Sequence, residues 1–141
     1  MNVIKATRIA QDEIVAILKR AKLTDGSLLD DDEIKKKSKR VMFWYRQAPL
    51  SASNKEILVI WAIPSIDVIG HADNRTAIRS VYASIDIYSK NGELDEDTLN
   101  VIDKIATECE SQGWRFEKVA LDSIDYVDGL TQLRYSATKK I

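Results

Sequence analysis

His71 is the chain's only histidine and lies two residues from Asp73 in "IGHADNR", a pairing that could serve as a general base or a metal ligand. A metal site needs three or four ligands, and no second histidine or cysteine is present to complete one, so a polar loop is the better reading. Cys109, the single cysteine, is flanked by Glu108 and Glu110, which raise a thiol pKa and so disfavour a nucleophile. It falls on the apolar side of a helical pattern and reads as a buried thiol. Asp30, Asp31, Asp32 and Glu33 form an acidic run without the spaced ligands or turn glycine of a calcium loop. Lys35, Lys36, Lys37, Lys39 and Arg40 precede Phe43, Trp44 and Tyr45, and bases beside aromatics could bind phosphates and stack on nucleobases. The neighbouring acids offset that patch, and the aromatics fit a strand. Asp122, Asp125 and Asp128 recur every three residues, a spacing that turn formation explains. Tyr126 between them, with Tyr82 and Tyr88, is a better candidate for a protein-contact anchor. A glycine-rich phosphate loop, a serine elbow and a paired CxxC are all absent from the sequence. The residue types point to assembly or binding rather than catalysis, with no cofactor and no metal.

At 141 residues and 45% hydrophobic composition, the chain is expected to form one domain over 1–141 with a single core. Its 21 basic and 22 acidic residues give a net charge of -1, which excludes a global field that would hold nucleic acid or an anionic membrane. The first twenty residues are too charged and too periodic for a signal peptide, and no apolar run approaches the roughly 18–20 residues of a membrane span. A soluble protein made inside the cell is expected.

Glycines and prolines separate the periodic segments that must position these residues. Val3, Ala6, Ala10, Ile14, Ile17, Leu18 and Ala21 recur at helical spacing, so a helix is predicted over 3–22, with Asn2 as N-cap, Asp25-Gly26 as stop, and its stripe on a sheet. Residues 27–40 carry four acids and then five bases, which predicts an exposed, mobile connection with Ile34 as its one core residue. Strands are predicted over 41–47, ending before Pro49, and over 56–63, ending at Pro64. These two are expected to pair as a hairpin. The second is apolar at nearly every position, which implies burial on both faces. In a third strand over 79–90, Val81, Ala83, Ile85 and Ile87 face the core while Tyr82, Ser84, Asp86 and Tyr88 face outward.

After a turn at Asn91-Gly92, acids 95–97 open a second helix with Leu99, Ile102, Ile105, Ala106 and Cys109 as its buried stripe. Gly113 fits a left-handed cap followed by Trp114 packing back. Strands over 116–122 and 130–137 close the fold around the loop "SIDYVDG", and Lys139 and Lys140 form a short tail. The order α-β-β-β-α-β-β predicts an α+β fold: a largely antiparallel sheet of about five strands with two helices packed on one face.

A leading helix, "FWYRQAP" (43–49), a strand entering "HADNR" (71–75), "ASIDIYSKNG" (83–92), a helix, "QGWRF" (112–116) and "DSIDYVDGLTQLRYS" (122–136) together resemble the phage tail terminator, or tail completion, proteins. The resemblance covers most of the chain. It implies a structural virion protein that forms a ring, typically a hexamer, at the head-proximal end of a tail, ends polymerisation of the tube and joins the head connector. The implied partners are further copies of the chain, the tail tube protein and the connector or stopper protein, with no membrane and with DNA only as passing cargo. Such a protein would be made in the host bacterial cytoplasm. It also implies subunit or partner contacts through His71, Asp73, Asn74 and Arg75, through Tyr82 and Tyr88, and through Asp125, Tyr126 and Asp128. A ring contact joins two unlike patches, so the acids at 30–33 and Lys35, Lys36 and Lys37 are expected to meet between neighbours, making the ring sensitive to salt. Assembly that survives reversal of those three lysines to glutamate would refute that pairing. Another neck component of stopper type, a minor tube subunit, or a small α+β ligand-binding domain are the alternative readings.

Overall fold

Asn2 accepts a hydrogen bond from the Lys5 amide through Oδ1 at 2.8 Å and starts helix α1, Val3–Arg20, as expected of an N-cap. The computed structural model describes residues 2–37, 40–72, 76–119, 124–125 and 129–141. α1 buries Ala6, Ala10, Ile14, Ile17 and Leu18 and stops earlier than the sequence pattern predicts. Lys22 takes φ 70°, its amide donates to Lys19 O, and the Leu23 amide donates to Leu18 O at 3.1 Å. This is a left-handed helix cap built on a lysine instead of a glycine.

The chain then forms β1 (Thr24–Asp25), a 3-10 turn (Gly26–Leu28), α2 (Asp31–Lys36) and β2 (Met42–Tyr45). A second 3-10 turn (Leu50–Ala52) leads into β3 (Ile57–Ala72) and β4 (Thr76–Ser89), followed by α3 (Glu96–Ser111), β5 (Arg115–Lys118), β6 (Ile124–Asp125) and β7 (Thr131–Lys140). The fold is α+β. Its sheet is mixed, in the order β1-β2-β3-β4-β7-β5, with β6 pairing β7 off that path. β1 and β2, and β2 and β3, are parallel; the other neighbours are antiparallel.

Three expectations about the strands are corrected. Segments 41–47 and 56–63 do not form a hairpin: Met42 lies opposite Leu58 and Tyr45 opposite Trp61 in parallel register. The connection over 46–56 is long enough to carry the chain back to the same end of the sheet, which a parallel pair requires and a tight turn cannot supply. Pro64 does not end its strand, because the register shifts between Ala62 and Ser65 and a bulge takes the proline out of the ladder. Lys139 and Lys140 are the last residues of β7 and not a tail. Lys139 Nζ sits 2.6 Å from Glu13 Oε1 on α1 and donates to Gln112 O at 2.8 Å, so it joins β7 to both long helices.

α1 and α3 cover one face of the sheet, where Phe43, Val59, Trp61, Val81, Ala83, Ile85 and Ile87 join a core with Ile14, Ile17 and Ile105. α2 lies on the opposite face, so the helices are not all gathered on one side as expected. A second cluster there comprises Ile34, Met42, Trp44, Ala52, Leu58, Tyr88 and Leu130. β3 is thus buried on both faces, as its composition implies. The charged stretch 27–40 supplies Ile34 to this cluster, and its acids and bases build α2: Asp30 Oδ1 caps the Glu33 amide at 2.8 Å, acids occupy the first turn and lysines the last. That arrangement complements the helix dipole.

Asp95 caps α3 through the Thr98 amide, and the buried stripe is Thr98, Val101, Ile105 and Cys109. Leu99 is exposed, and Ile102 and Ala106 are half-buried. The helix is rotated from the apolar pattern because Thr98 turns inward, where its hydroxyl meets that of Ser89 at 2.8 Å. At the other end the Gly113 amide donates to Glu110 O and the Trp114 amide to Cys109 O, with Gly113 at φ 79° and Trp114 buried. This is the predicted left-handed cap.

Candidate interaction surface

His71 and Ala72, the first residues of the "HADNR" motif, end β3, which pairs antiparallel with β4. β2 ends opposite Trp61, so the outer edge of β3 over 65–72 has β4 as its one neighbour among the described residues. Arg79 exchanges backbone hydrogen bonds with Ile141 at 3.0 and 2.8 Å, and beyond that pair β4 has β3 as its one neighbour among the described residues. Residues 70–72 and 76–78 therefore form a two-stranded ribbon, with His71 opposite Ala77. Asp73, Asn74 and Arg75 connect its strands and lie outside the described residues. At about 3.3 Å per residue, the open edge of β3 is roughly 25 Å long.

The structure distributes the other sequence candidates unevenly. Tyr82 is half-buried on β4, opposite Ser65 and Thr138. Tyr88 is not outward: it is buried in the second cluster, and its hydroxyl accepts a hydrogen bond from Gln132 Nε2 at 3.1 Å. Asp125 pairs with Thr131 through β6, while Tyr126 and Asp128 fall outside the described residues. Lys35 and Lys36 are exposed in the last turn of α2, and Lys37 caps it with Nζ 3.7 Å from Glu33 Oε2. The opposite signs at 30–33 and 35–37 are thus the two ends of one helix. Cys109 is fully buried, and burial, then Glu110 and Glu108, push its thiol up to about 12. Among the described residues no group of three acidic, histidine or cysteine side chains could hold a metal ion.

The concave region was not legible as a site. Two shallow cavities, of about 320 and 350 Å³, flank the segment Gln47, Ala48 and Pro49, which lines both. Arg46, Leu50, Leu58, Ile60, Tyr88 and Leu130 line the first; Gly26, Leu29, Ile34 and Trp44 line the second. They exist because the connection between two parallel strands crosses the second face of the sheet and leaves it incompletely covered. Trp44 is buried against Gly26, and its Nε1 has no hydrogen-bond partner among the described residues. The sequence clue is Gly26 itself, where a side chain would collide with the Trp44 indole.

Two further features carry charge into partly covered positions. Asp86 faces the same side of the sheet, and its burial raises the carboxyl pKa against the opposing pull of Arg134 at 3.8 Å and of Gln132. Lys55 is only 1% exposed and its Nζ has no partner among the described residues. Desolvation lowers its pKa. Large exposed apolar side chains include Leu28 (74%) and Leu50 (93%) beside the cavities, Leu94 (84%) and Leu99 (46%) at the start of α3, and Val3 and Ile4 at the start of α1, with Tyr45 and Val119 elsewhere.

No protein-family model matches the chain, and no curated protein is significantly similar to it in sequence.

Proposed function

We propose that the chain is a structural subunit that works as a ring of its own copies at the head-proximal end of a phage tail, ends growth of the tube and presents a surface to the head connector. The open edge of β3 and the ribbon beyond Arg79 carry this reading. A two-stranded ribbon is marginal on its own in water, and an uncovered strand edge is a template for another chain. A neighbour that covers the edge supplies the support the single subunit lacks. Of the quoted resemblance motifs, "ASIDIYSKNG" runs along β4 of this hairpin and "QGWRF" leads into β5 beside β7, and the resemblance supplies the identity of the ring. The rival reading, a small-ligand domain, has less to stand on: both cavities lie at the small end of ligand sites and are shallow, without a set of convergent polar groups.

The test is deletion of the gene from the phage or prophage that carries it, with tail lengths measured by negative-stain electron microscopy. Overlong, headless tails are expected. Tails of normal length on intact particles would remove the terminator reading, whereas tails of normal length that lack heads would move the protein to another neck position.

A further inference from the structure

Residues 91–103 hold Glu93, Asp95, Glu96, Asp97 and Asp103 and no base. Asp95 caps α3 and Glu93 pairs with Lys118 at 3.4 Å, which leaves Glu96, Asp97 and Asp103 exposed around Leu94 and Leu99. The two leucines occupy the positions just before the cap and four residues after it, which face one another at a helix start. They form an acidic, apolar knob on the helix-covered side of the molecule.

The cavities beside Pro49 have the complementary character. Leu50 and Leu28 stand exposed at their margins. Of the acids nearby, Asp30 caps α2, Asp31 lines the second cavity and accepts from Ser51 Oγ at 3.0 Å, Glu33 pairs with Lys37, and Asp32 is exposed beside the lysines. Lys35, Lys36 and Arg40 have no ion-pair partner among the described residues, and Arg46 lines the first cavity. The part of the rim formed by Lys35, Lys36, Arg40 and Arg46 therefore offers positive charge to a neighbour, with Asp31 and Asp32 as the acids beside it.

Knob and cavities lie at the same end of the sheet, where Ser89 meets Thr98 on one face and Leu58 and Tyr88 line the cavity on the other. Resting on the ring reading above, we propose that the knob formed by Leu94 and Leu99 seats in the cavities beside Pro49 of a second copy of this chain, with Glu96 and Asp97 facing Lys35 and Lys36. A contact between unlike patches on opposite faces is head-to-tail, so it propagates from copy to copy and closes into a ring when the rotation allows. Complementary charge at its rim sets orientation and register.

The experiment uses the full chain, free and on tails purified from lysate, with paired cysteines introduced by Leu94→Cys and Leu50→Cys. Buried Cys109 is out of reach in the native state. Oxidation is expected to give a ladder of cross-linked multimers with the pair and only monomer with either change alone. Reversing the knob with Glu96→Lys and Asp97→Lys is expected to weaken self-association at least about tenfold, and adding Lys35→Glu and Lys36→Glu to restore it. A ring seen by electron microscopy that forms equally well with Leu50→Ser, Leu94→Ser and Leu99→Ser together overturns this contact and leaves the ring reading standing. Cross-linking of Leu94→Cys to a different protein also overturns it, by assigning the knob to another partner. A chain that is monomeric both in solution and on tails overturns the contact and the ring together.

Discussion

Replacing Gly26 by alanine would place a Cβ 2.2 Å from Cε2, 2.4 Å from Nε1 and 2.5 Å from Cζ2 of Trp44. Carbon atoms in good contact sit about 3.5–4.0 Å apart, so the indole or the 3-10 turn must shift by on the order of 1 Å. Trp44 has little room to give, because it is buried in the second cluster. Forcing a methyl group into a packed core costs about 1–3 kcal/mol, and a shift of this size belongs at the upper end. A loss of about 3 kcal/mol corresponds to a fall of roughly 10 °C in Tm for a domain of this length. At an open site with ordinary φ the same substitution would stabilise by about 0.4–1 kcal/mol, so the sign of the change is itself diagnostic. The assay is urea and thermal unfolding followed by circular dichroism. Adding Trp44→Leu should relieve the collision, so that Gly26→Ala becomes neutral or stabilising in that background, a coupling that a double-mutant cycle measures. Gly92→Ala is the control, since Gly92 has φ +85° with nothing within 4 Å of the new Cβ. Its cost, about 1–2 kcal/mol from backbone conformation, should not depend on Trp44. Stability equal to or above the parent for Gly26→Ala, or a coupling of zero, refutes the close approach of the turn to the indole.

Lys139→Met leaves Glu13 Oε1 and Gln112 O without their ammonium partner and is expected to cost about 1–3 kcal/mol in urea unfolding, with much of it regained by adding Glu13→Leu. Cys109, with its thiol at about 12, should react with Ellman's reagent only on unfolding, because at pH 8 on the order of 1 in 10⁴ of the folded molecules carries a thiolate. Fast labelling of native protein would show the site to be open. Lys55 has a lowered folded-state pKa, so the unfolded chain binds more protons between that value and the usual 10.5. Stability should therefore rise with pH up to about 10.5 on this account and be unaffected by Lys55 above it. Lys55→Met should stabilise the protein at neutral pH and remove that rise, and urea midpoints from pH 7 to 10 check both points.

The sequence made the long helices, the caps at Asn2 and Gly113, the acidic start of α3, and the alternation of Val81, Ala83, Ile85 and Ile87 legible, because each depends on residues within one or two turns of chain. The parallel pairing of β2 with β3 was not legible, since an apolar run announces burial without giving the direction of its neighbour. α2 was hidden by its length and charge: six residues with Ile34 as their only buried side chain give no periodicity to read. Leu99 and Val101 exchanged roles because the buried Ser89–Thr98 hydroxyl pair rotates α3, and hydropathy does not record a polar residue that finds its partner inside. Of the candidate interface, a strand entering "HADNR" was expected, but His71 was read as part of a polar loop and instead lies in β3 opposite Ala77, because the bulge at Pro64 lets the strand run on. The cavities were not, because Gly26, Trp44, Pro49 and Leu58 are brought together by a crossover that no local pattern specifies.

The two faces of the sheet divide stability from association. The face under α1 and α3 is closed by long side chains from both helices, and Lys139 links α1, the end of α3 and β7 across it. Truncating Ile85 or Ile105 there removes packed volume and has no route to a partner except through unfolding. The opposite face is closed over only part of its area by α2 and the 46–56 connection, and past Leu58 and Ile60 it becomes the polar row Ser84, Asp86 and Arg134 and then the open edge of β3. Its exposed leucines can be changed at little cost to the monomer because they bury nothing in it. A substitution that leaves unfolding unchanged and alters assembly should therefore fall on this second face, on the β3–β4 ribbon, or at the exposed apolar side chains of the helix starts, Val3, Ile4, Leu94 and Leu99. That partition follows from which surfaces the chain covers with its own residues.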